Sequence, residues 1–246
     1  MNYYAMGDIH GRADLFWNAV EFMSHDAAPG KWHCYFLGDA CDRGPDGWEL
    51  IKILLDNPNL FTYLLGNHED MLLKAIASLK SVARFHNLDI TDYDAIRENT
   101  YSQNVALCDY NGGDPTMRAA LKDPKLNEYV LKLRQLPLTA SHGVIDMCHA
   151  GCTIGDWERL KDVRNDEAID IFCWDREHFG APWYENRILL HGHTPIVSSH
   201  FRPWKDYGPY KTGEKVNLDA GAVWTNELYL YDFQQQDVVV IHAIEN

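Results

Sequence analysis

The sequence predicts an α/β fold built around a parallel sheet. Three observations carry this expectation. A strand-like apolar run, a polar loop and an amphipathic helix follow one another three times between residues 3 and 79. Strand-like runs return toward the C-terminus after a middle stretch that lacks this rhythm. The composition, 46% hydrophobic and 24% charged over 246 residues, supplies enough apolar side chain to bury a large core.

Taken in order, residues 3–6 form a first strand, ended by Gly7-Asp8. In 12–22 the residues Leu15, Phe16, Ala19, Val20 and Phe22 recur at helical spacing. Residues 32–37 form a second strand, and 48–55 a helix with Trp48, Ile51 and Leu55 on one face. A third strand at 61–65 ends in Gly66-Asn67 and leads to a helix at 71–79. Residues 80–136 carry turn material around Asn87, Asp89 and Asp92 and in Asn111-Gly112-Gly113-Asp114-Pro115, then helical patches at 116–121 and 126–133. This segment reads as a largely helical cap inserted in a single domain that spans 1–246. Strands follow at 143–148, 187–190, 216–218, 228–233 and 237–242, the last two forming a hairpin around Gln234-Gln235-Gln236.

Charge and cysteine usage narrow the classes. Asp and Glu number 36 against 22 Lys and Arg, a formal net charge of −14, which argues against nucleic-acid and anionic-membrane partners. No apolar run approaches a transmembrane length, and the N-terminus lacks a basic flank and an apolar signal region. Cys34, Cys41, Cys108, Cys148, Cys152 and Cys173 form no C-x-x-C pair and read as reduced thiols. A cytoplasmic protein is the expectation. The 12 histidines in so acidic a chain raise the question of metal.

The strand ends answer it. They deliver, in order, Gly7-Asp8-Ile9-His10-Gly11, Gly38-Asp39-Ala40-Cys41-Asp42-Arg43-Gly44, Gly66-Asn67-His68-Glu69, His149-Ala150-Gly151 and His191-Gly192-His193-Thr194-Pro195. Sites in open α/β sheets lie at the C-terminal strand edge. Oxygen donors from Asp and Asn with nitrogen donors from His suit Mn²⁺, Fe or Zn²⁺ better than Ca²⁺. The donors outnumber what one ion with open positions needs, so two ions sharing a carboxylate fit better. Each residue alone reads equally well as a hydrogen-bonded turn residue; the ordered set does not.

This set resembles the motifs of the calcineurin-like metallophosphoesterase superfamily, and within it the bacterial and phage-type phosphoprotein phosphatases (the PPP family). The resemblance runs from Gly7 to about Val223, with a loose match in the middle. It implies a metallophosphoesterase-type β-sandwich of mixed sheets flanked by helices. It implies one ion on Asp8, His10 and Asp39, and a second on Asp39, Asn67, His149 and His193. The ions would be transition metals, manganese first, then iron or zinc. The implied reaction is direct attack on phosphorus by a hydroxide between the ions. His68 is the implied general acid, paired with Asp42, and Arg43 and Arg176 the implied phosphate-binding residues.

The resemblance points to a phosphoprotein or phosphopeptide substrate, with phosphoserine and phosphothreonine first and phosphotyrosine as a further candidate. The alternative is symmetric hydrolysis of a dinucleoside polyphosphate such as diadenosine tetraphosphate. Asp42 and Glu69 match the protein-phosphatase pattern rather than that alternative, whereas Leu65 stands where some phage-type relatives have Arg. An inactive binding module is disfavoured, because every ligand and the acid are present. His191 reads as a strand-end residue beside the ligands, with a ligand role as its alternative, and Asp219 as a turn residue, although its loop resembles one near the family's site. His25, His33, His86, His142, His178, His200 and His242 read as surface or core residues, and Arg84, Arg97 and Arg118 as solvated helix positions.

Overall fold

A computed structural model describes residues 1–27, 31–178, 180–196 and 215–243. Two sheets stack face to face. In the first, β1 (Asn2–Met6), β2 (Trp32–Phe36) and β3 (Phe61–Tyr63) run parallel, and β8 (Glu227–Asp232) and β9 (Asp237–His242) complete the order β3-β2-β1-β8-β9. In the second, β4 (Thr139–His142), β5 (Ile145–Cys148), β6 (Ile188–His191) and β7 (Lys215–Asn217) lie in that order. Parallel pairing was the expectation from the βα rhythm, and it holds for β1–β3 and β5–β7. The sheets are nevertheless mixed, because the β8–β9 hairpin adds antiparallel to β1 and the β4–β5 hairpin closes the other edge.

Both faces of the central strands are buried, and strand period explains how. Along β1, Tyr4 and Met6 point to the helix side and Ala5 points between the sheets; along β8, Leu228 and Leu230 take the first role and Tyr229 and Tyr231 the second. The layer between the sheets adds Leu37, Leu64, Met147, Ile188, Leu190, Val216 and Leu218. On the outer side pack α1 (Ala13–Asp26), α2 (Gly47–Asp56) and α3 (Asn67–His86). The third helix is longer than its apolar pattern predicted. It begins at Asn67, so the Asn-His-Glu motif forms its first turn, and it ends at Asn87 in a left-handed cap.

The middle segment holds α4 (Tyr93–Glu98), α5 (Gln103–Tyr110), α6 (Asp114–Lys122) and α7 (Leu126–Arg134). α5, α6 and α7 lie against α2 and α3 and share their core through Val105, Cys108, Met117, Leu121, Tyr129 and Leu133. Within this segment, only α6 and α7 match helical patches named from the sequence, and besides α4 and α5 three helices beyond it, α8 (Ile154–Leu160), α9 (Asp166–Trp174) and α10 (Ala222–Thr225), escaped the sequence reading. α8 and α9 carry ordinary start signals. Thr153 Oγ1 accepts from Asp156 N at 3.1 Å, and Asn165 Oδ1 accepts from Ala168 N at 2.8 Å. The six cysteines are all buried free thiols. Among the described residues, no helix is long and apolar enough to cross a membrane.

The stacking of the sheets yields a test. Leu190 is fully buried between them, so Leu190→Ala should lower the unfolding free energy in urea by about 2–5 kcal/mol. Leu131, exposed on α7, should tolerate the same change within about 0.5 kcal/mol.

Candidate metal centre

The C-terminal ends of β1, β2, β3, β5 and β6 converge on one buried locus. Asp39, after β2, lies at its middle with 2% exposure. Its Oδ1 accepts from His68 N at 3.0 Å and stands 3.4 Å from His149 Nε2. Its Oδ2 lies 3.7 Å from His10 Nε2 and 3.8 Å from His68 Nε2. Two groups place ligand atoms within 4.8 Å of one another: His10, Asp39 and His68, and Asp39, His149 and His193. Asn67 completes the second, its Oδ1 lying 3.0 Å from His149 Nε2 and 2.9 Å from His193 Nδ1.

Each ring is aimed by its other nitrogen. His10 Nδ1 lies 2.9 Å from Cys41 O and His149 Nδ1 lies 2.8 Å from Leu37 O, which presents both Nε2 atoms to the cluster. Glu69 holds the loops: its carboxylate accepts from Asp39 N at 2.8 Å, Ala40 N at 2.9 Å and Gly66 N at 3.0 Å. Burial, with Asp39 nearby, pushes Glu69 up to about 7 against those amides. The backbone is unusual here. His10, Asp39, Asp42, Arg43 and His193 all adopt positive φ, between +48° and +71°, which costs roughly 1–3 kcal/mol per residue outside glycine. Gly192 has a distinct reason to be glycine, since a Cβ there would overlap Asp8 Oδ1.

Asp8, predicted as a ligand, belongs to neither three-residue group, but it borders both. Its Oδ2 accepts from His193 N at 3.0 Å, and it faces Asp219 and Asp39. Burial, then repulsion from those two carboxylates, raises its pKa well above the carboxylate range. Asp219 is the residue that sequence reasoning undervalued. It is buried, Oδ1 accepts from Gly221 N at 2.9 Å, and burial pushes it up to about 6. The signal was present: Asp219 follows β7 as Asp8 follows β1 and Asp39 follows β2. Asp39 moves the other way. Burial opposes its charge, yet its pKa lies below the usual range, a direction that requires charged rings beside it, and of its four imidazole neighbours His68 is the one whose own pKa is raised.

His10, His149 and His193 are pushed down, first by burial, and so present neutral imidazoles. Asp8 Oδ1, Asp42 Oδ1, Asp219 Oδ2 and His193 Nε2 are buried with no hydrogen-bond partner among the described residues. Crowded carboxylates, neutral imidazoles and orphaned acceptors together fit transition-metal cations. His191 points elsewhere: its Nδ1 lies 3.2 Å from Gly192 O, and burial pushes it down to about 4.

The remaining predicted residues surround the cluster. His68 Nδ1 lies 2.7 Å from Asp42 Oδ2. Burial pulls His68 down, yet Asp39 and Asp42 more than offset this, and its pKa is raised. Arg43 Nη1 lies 2.5 Å from His10 Nε2 and its Nη2 3.1 Å from His68 Nε2. Arg176 lies beside the last motif, Nη1 donating to Thr194 Oγ1 at 3.1 Å and to His193 O at 3.5 Å. Two middle-segment contacts had no signature in the sequence: Arg43 N donates to Gly112 O at 2.8 Å, and Asp42 N donates to Thr116 Oγ1 at 3.1 Å. Arg97 and Arg118 are paired with Asp109, Asp94 and Asp114, away from the cluster, and His200 lies outside the described residues.

The fold, two mixed sheets flanked by helices with this cluster at the strand ends, is that of solved metallophosphoesterases. No family model matches the chain. The asymmetrical bis(5'-nucleosyl)-tetraphosphatase PrpE of Bacillus cereus is 24% identical over 98% of this chain and 94% of its own length. A symmetrical bis(5'-nucleosyl)-tetraphosphatase of Aromatoleum aromaticum is 23% identical over 99% and 97%. Among solved structures, one provisionally assigned as a diadenosine tetraphosphatase superposes with a TM-score of 0.60 at 15% identity, over 100% of this chain and 95% of its own. A metallophosphoesterase from Sphaerobacter thermophilus gives 0.54 at 14%, covering 100% and 89%. A cold-active protein tyrosine phosphatase gives 0.54 at 16%, covering 97% and 78%.

Cation binding should be visible without turnover. At a Mn²⁺ concentration of about 100 times Kd, linkage adds about 2.7 kcal/mol, a rise in Tm of roughly 5–10 °C for a chain of this size. Asp39→Asn should abolish that rise and reduce the bound metal measured by elemental analysis, because Asp39 is common to both groups.

Proposed function

We propose that this chain is a dinuclear-metal hydrolase whose substrate is a dinucleoside polyphosphate. The full-length likeness to two bis(5'-nucleosyl)-tetraphosphatases carries the choice of substrate. It favours the alternative that the motifs alone had placed second. Asp8, His10 and Asp39 would hold one ion, and Asp39, Asn67, His149 and His193 the other, with manganese first and iron or zinc next. Asp219, beside Asp8, would support the first. When bound, two such ions supply Lewis-acid polarisation of the phosphoryl oxygens and a hydroxide nucleophile at neutral pH.

The chain's own residues do the rest. Arg43, beside His10 and His68, and Arg176, beside His193 and Thr194, would hold the phosphoryl oxygens against the cluster. Asp42 keeps the proton of His68 on Nδ1 or accepts from the charged ring, leaving Nε2 to face the leaving group. Glu69, through its three amide contacts, keeps Asp39 and the start of α3 in register.

One observation favours the second reading, phosphoprotein hydrolysis. The buried His68–Asp42 pair with a raised imidazole pKa is what a leaving alkoxide needs, since it must be protonated as it departs. The leaving group of a polyphosphate is a phosphate oxygen that needs no proton at neutral pH. His68→Asn should therefore lower kcat on a phosphoserine peptide about 10²-fold or more, and by a smaller factor on diadenosine tetraphosphate. If His68 is a ligand of the first ion instead, the variant loses one equivalent of metal.

With Mn²⁺ restored after chelation, the protein should hydrolyse p-nitrophenyl phosphate. An inert protein with Mn²⁺, Fe and Zn²⁺ alike would overturn the enzyme reading. A side-by-side kcat/KM on diadenosine tetraphosphate and phosphopeptides decides between substrates, and the products, two ADP or AMP with ATP, separate symmetric from asymmetric cleavage.

A further inference from the structure

Beside the cluster lies a cleft of about 380 Å³ lined by Arg43, Tyr110, Asn111, Gly112, Val223 and Trp224. Its volume falls in the range of small-molecule sites. Its composition is unusual for a surface. Trp224 is 61% exposed and Tyr110 90% exposed, although large aromatic rings ordinarily bury most of their area. The two rings come from elements far apart in sequence, Tyr110 from the end of α5 and Trp224 from α10.

The cleft is joined to the cluster by Arg43. That guanidinium lies 5.2 Å from the Trp224 ring centroid while its nitrogens reach His10 and His68. The walls are fixed rather than loose. Gly112 O accepts from Arg43 N, and α10 is pinned by Arg12, whose Nη1 donates to Ala222 O at 3.0 Å and Asn226 Oδ1 at 2.8 Å. Asp219 lies at the start of the turn that leads into α10 and Trp224, its Oδ1 accepting from Gly221 N at 2.9 Å. A molecule with its phosphoryl group on Arg43 would therefore extend its next portion between exposed aromatic rings.

We propose that this cleft is a nucleobase site, in which the base stacks on Trp224 with Tyr110 as the second aromatic wall, while the attached phosphates pass Arg43 into the cluster. This rests on the dinucleoside polyphosphate reading and supplies its specificity. The metals and arginines recognise only phosphoryl oxygens, whereas a flat aromatic ring is recognised by stacking, which tolerates any base. Trp224 and Tyr110 are thus specificity-determining residues, and the ring on Trp224 positions Arg43 until a base replaces it.

The test uses Mn²⁺-loaded protein and two readouts. Calorimetric titration with AMP should show binding weakened about 10- to 100-fold in Trp224→Ala and in Tyr110→Ala, and by less than about 5-fold in Trp224→Phe, which keeps an aromatic face. The kcat/KM ratio of diadenosine tetraphosphate over base-free tripolyphosphate should fall by a similar factor. Tyr110 is nearly fully exposed, so its variant tests the idea even if Trp224→Ala misfolds. Equal losses for AMP and inorganic phosphate would show that Trp224 acts only through Arg43 and would overturn the base site. So would unchanged AMP affinity in a protein that hydrolyses diadenosine tetraphosphate, which leaves the substrate reading intact. A wild-type protein active only on phosphopeptides overturns the substrate reading, and the AMP titration then decides the base site by itself.

Discussion

Asp39 is the constraint on which the rest of the molecule depends. A carboxylate with 2% exposure is strongly disfavoured as an anion unless charge or hydrogen bonds surround it. Here Asp39 Oδ1 accepts from His68 N at 3.0 Å, the His68 ring with its raised pKa stands 3.8 Å from Oδ2, and Glu69 fixes the Asp39 backbone from the first turn of α3. The imidazoles of His10, His68, His149 and His193 come from the ends of β1, β3, β5 and β6, so both sheets must stack in register for one carboxylate to meet all four. The apolar layer between the sheets is therefore part of the site. Ala5 on β1, Ile188 and Leu190 on β6 and Tyr229 and Tyr231 on β8 set the separation that brings the loops of one sheet to those of the other.

That dependence explains what could be read from sequence. The Asp, Asn and His residues were legible because each lies at a strand end, all but His149 after a glycine of its motif, and a strand end fixes where the next side chain goes. The parallel cores were legible because their strands are continuous apolar runs. The mixed sheet was not legible from local rhythm, since the β8–β9 hairpin joins β1 across more than two hundred residues of chain. The helices α8 and α9 had readable caps at Thr153 and Asn165, but α8 has only Trp157 and Leu160 as buried residues and so shows little apolar periodicity. α3 was shortened because its first turn consists of buried polar residues, which interrupt the apolar pattern exactly where the chemistry begins. Asp219 reads as a turn residue for a similar reason: a lone Asp before Ala220-Gly221 has the composition of a turn, and only burial beside Asp8 distinguishes it.

The contacts from the middle segment are of another kind. Gly112 O and Thr116 Oγ1 bind the backbone of Arg43 and Asp42, so α5 and α6 support the second motif without contributing a ligand. Such contacts use a carbonyl and a hydroxyl, which every sequence offers in abundance, and so they leave no pattern. Their effect is visible in the backbone instead. Asp42 and Arg43 both sit at positive φ, and the Gly112 and Thr116 bonds are among the interactions that hold them there.

The left-handed residues allow one more step. Outside the cluster, positive φ in residues other than glycine occurs, among the described residues, at Asn87, Asn226 and Gln236, where a helix or hairpin ends and the conformation is ordinary. The other five, His10, Asp39, Asp42, Arg43 and His193, are candidates for holding metal, phosphate or the His68 ring. A stable fold without a cation site would have no reason to concentrate strain and buried carboxylates at one edge, since each lowers stability. Cations bound there would reverse the carboxylate repulsion and satisfy the orphaned acceptors of Asp8, Asp219 and His193. The strain and the charge are thus two signs of a single requirement, a pocket preorganised for positive charge before any phosphate arrives.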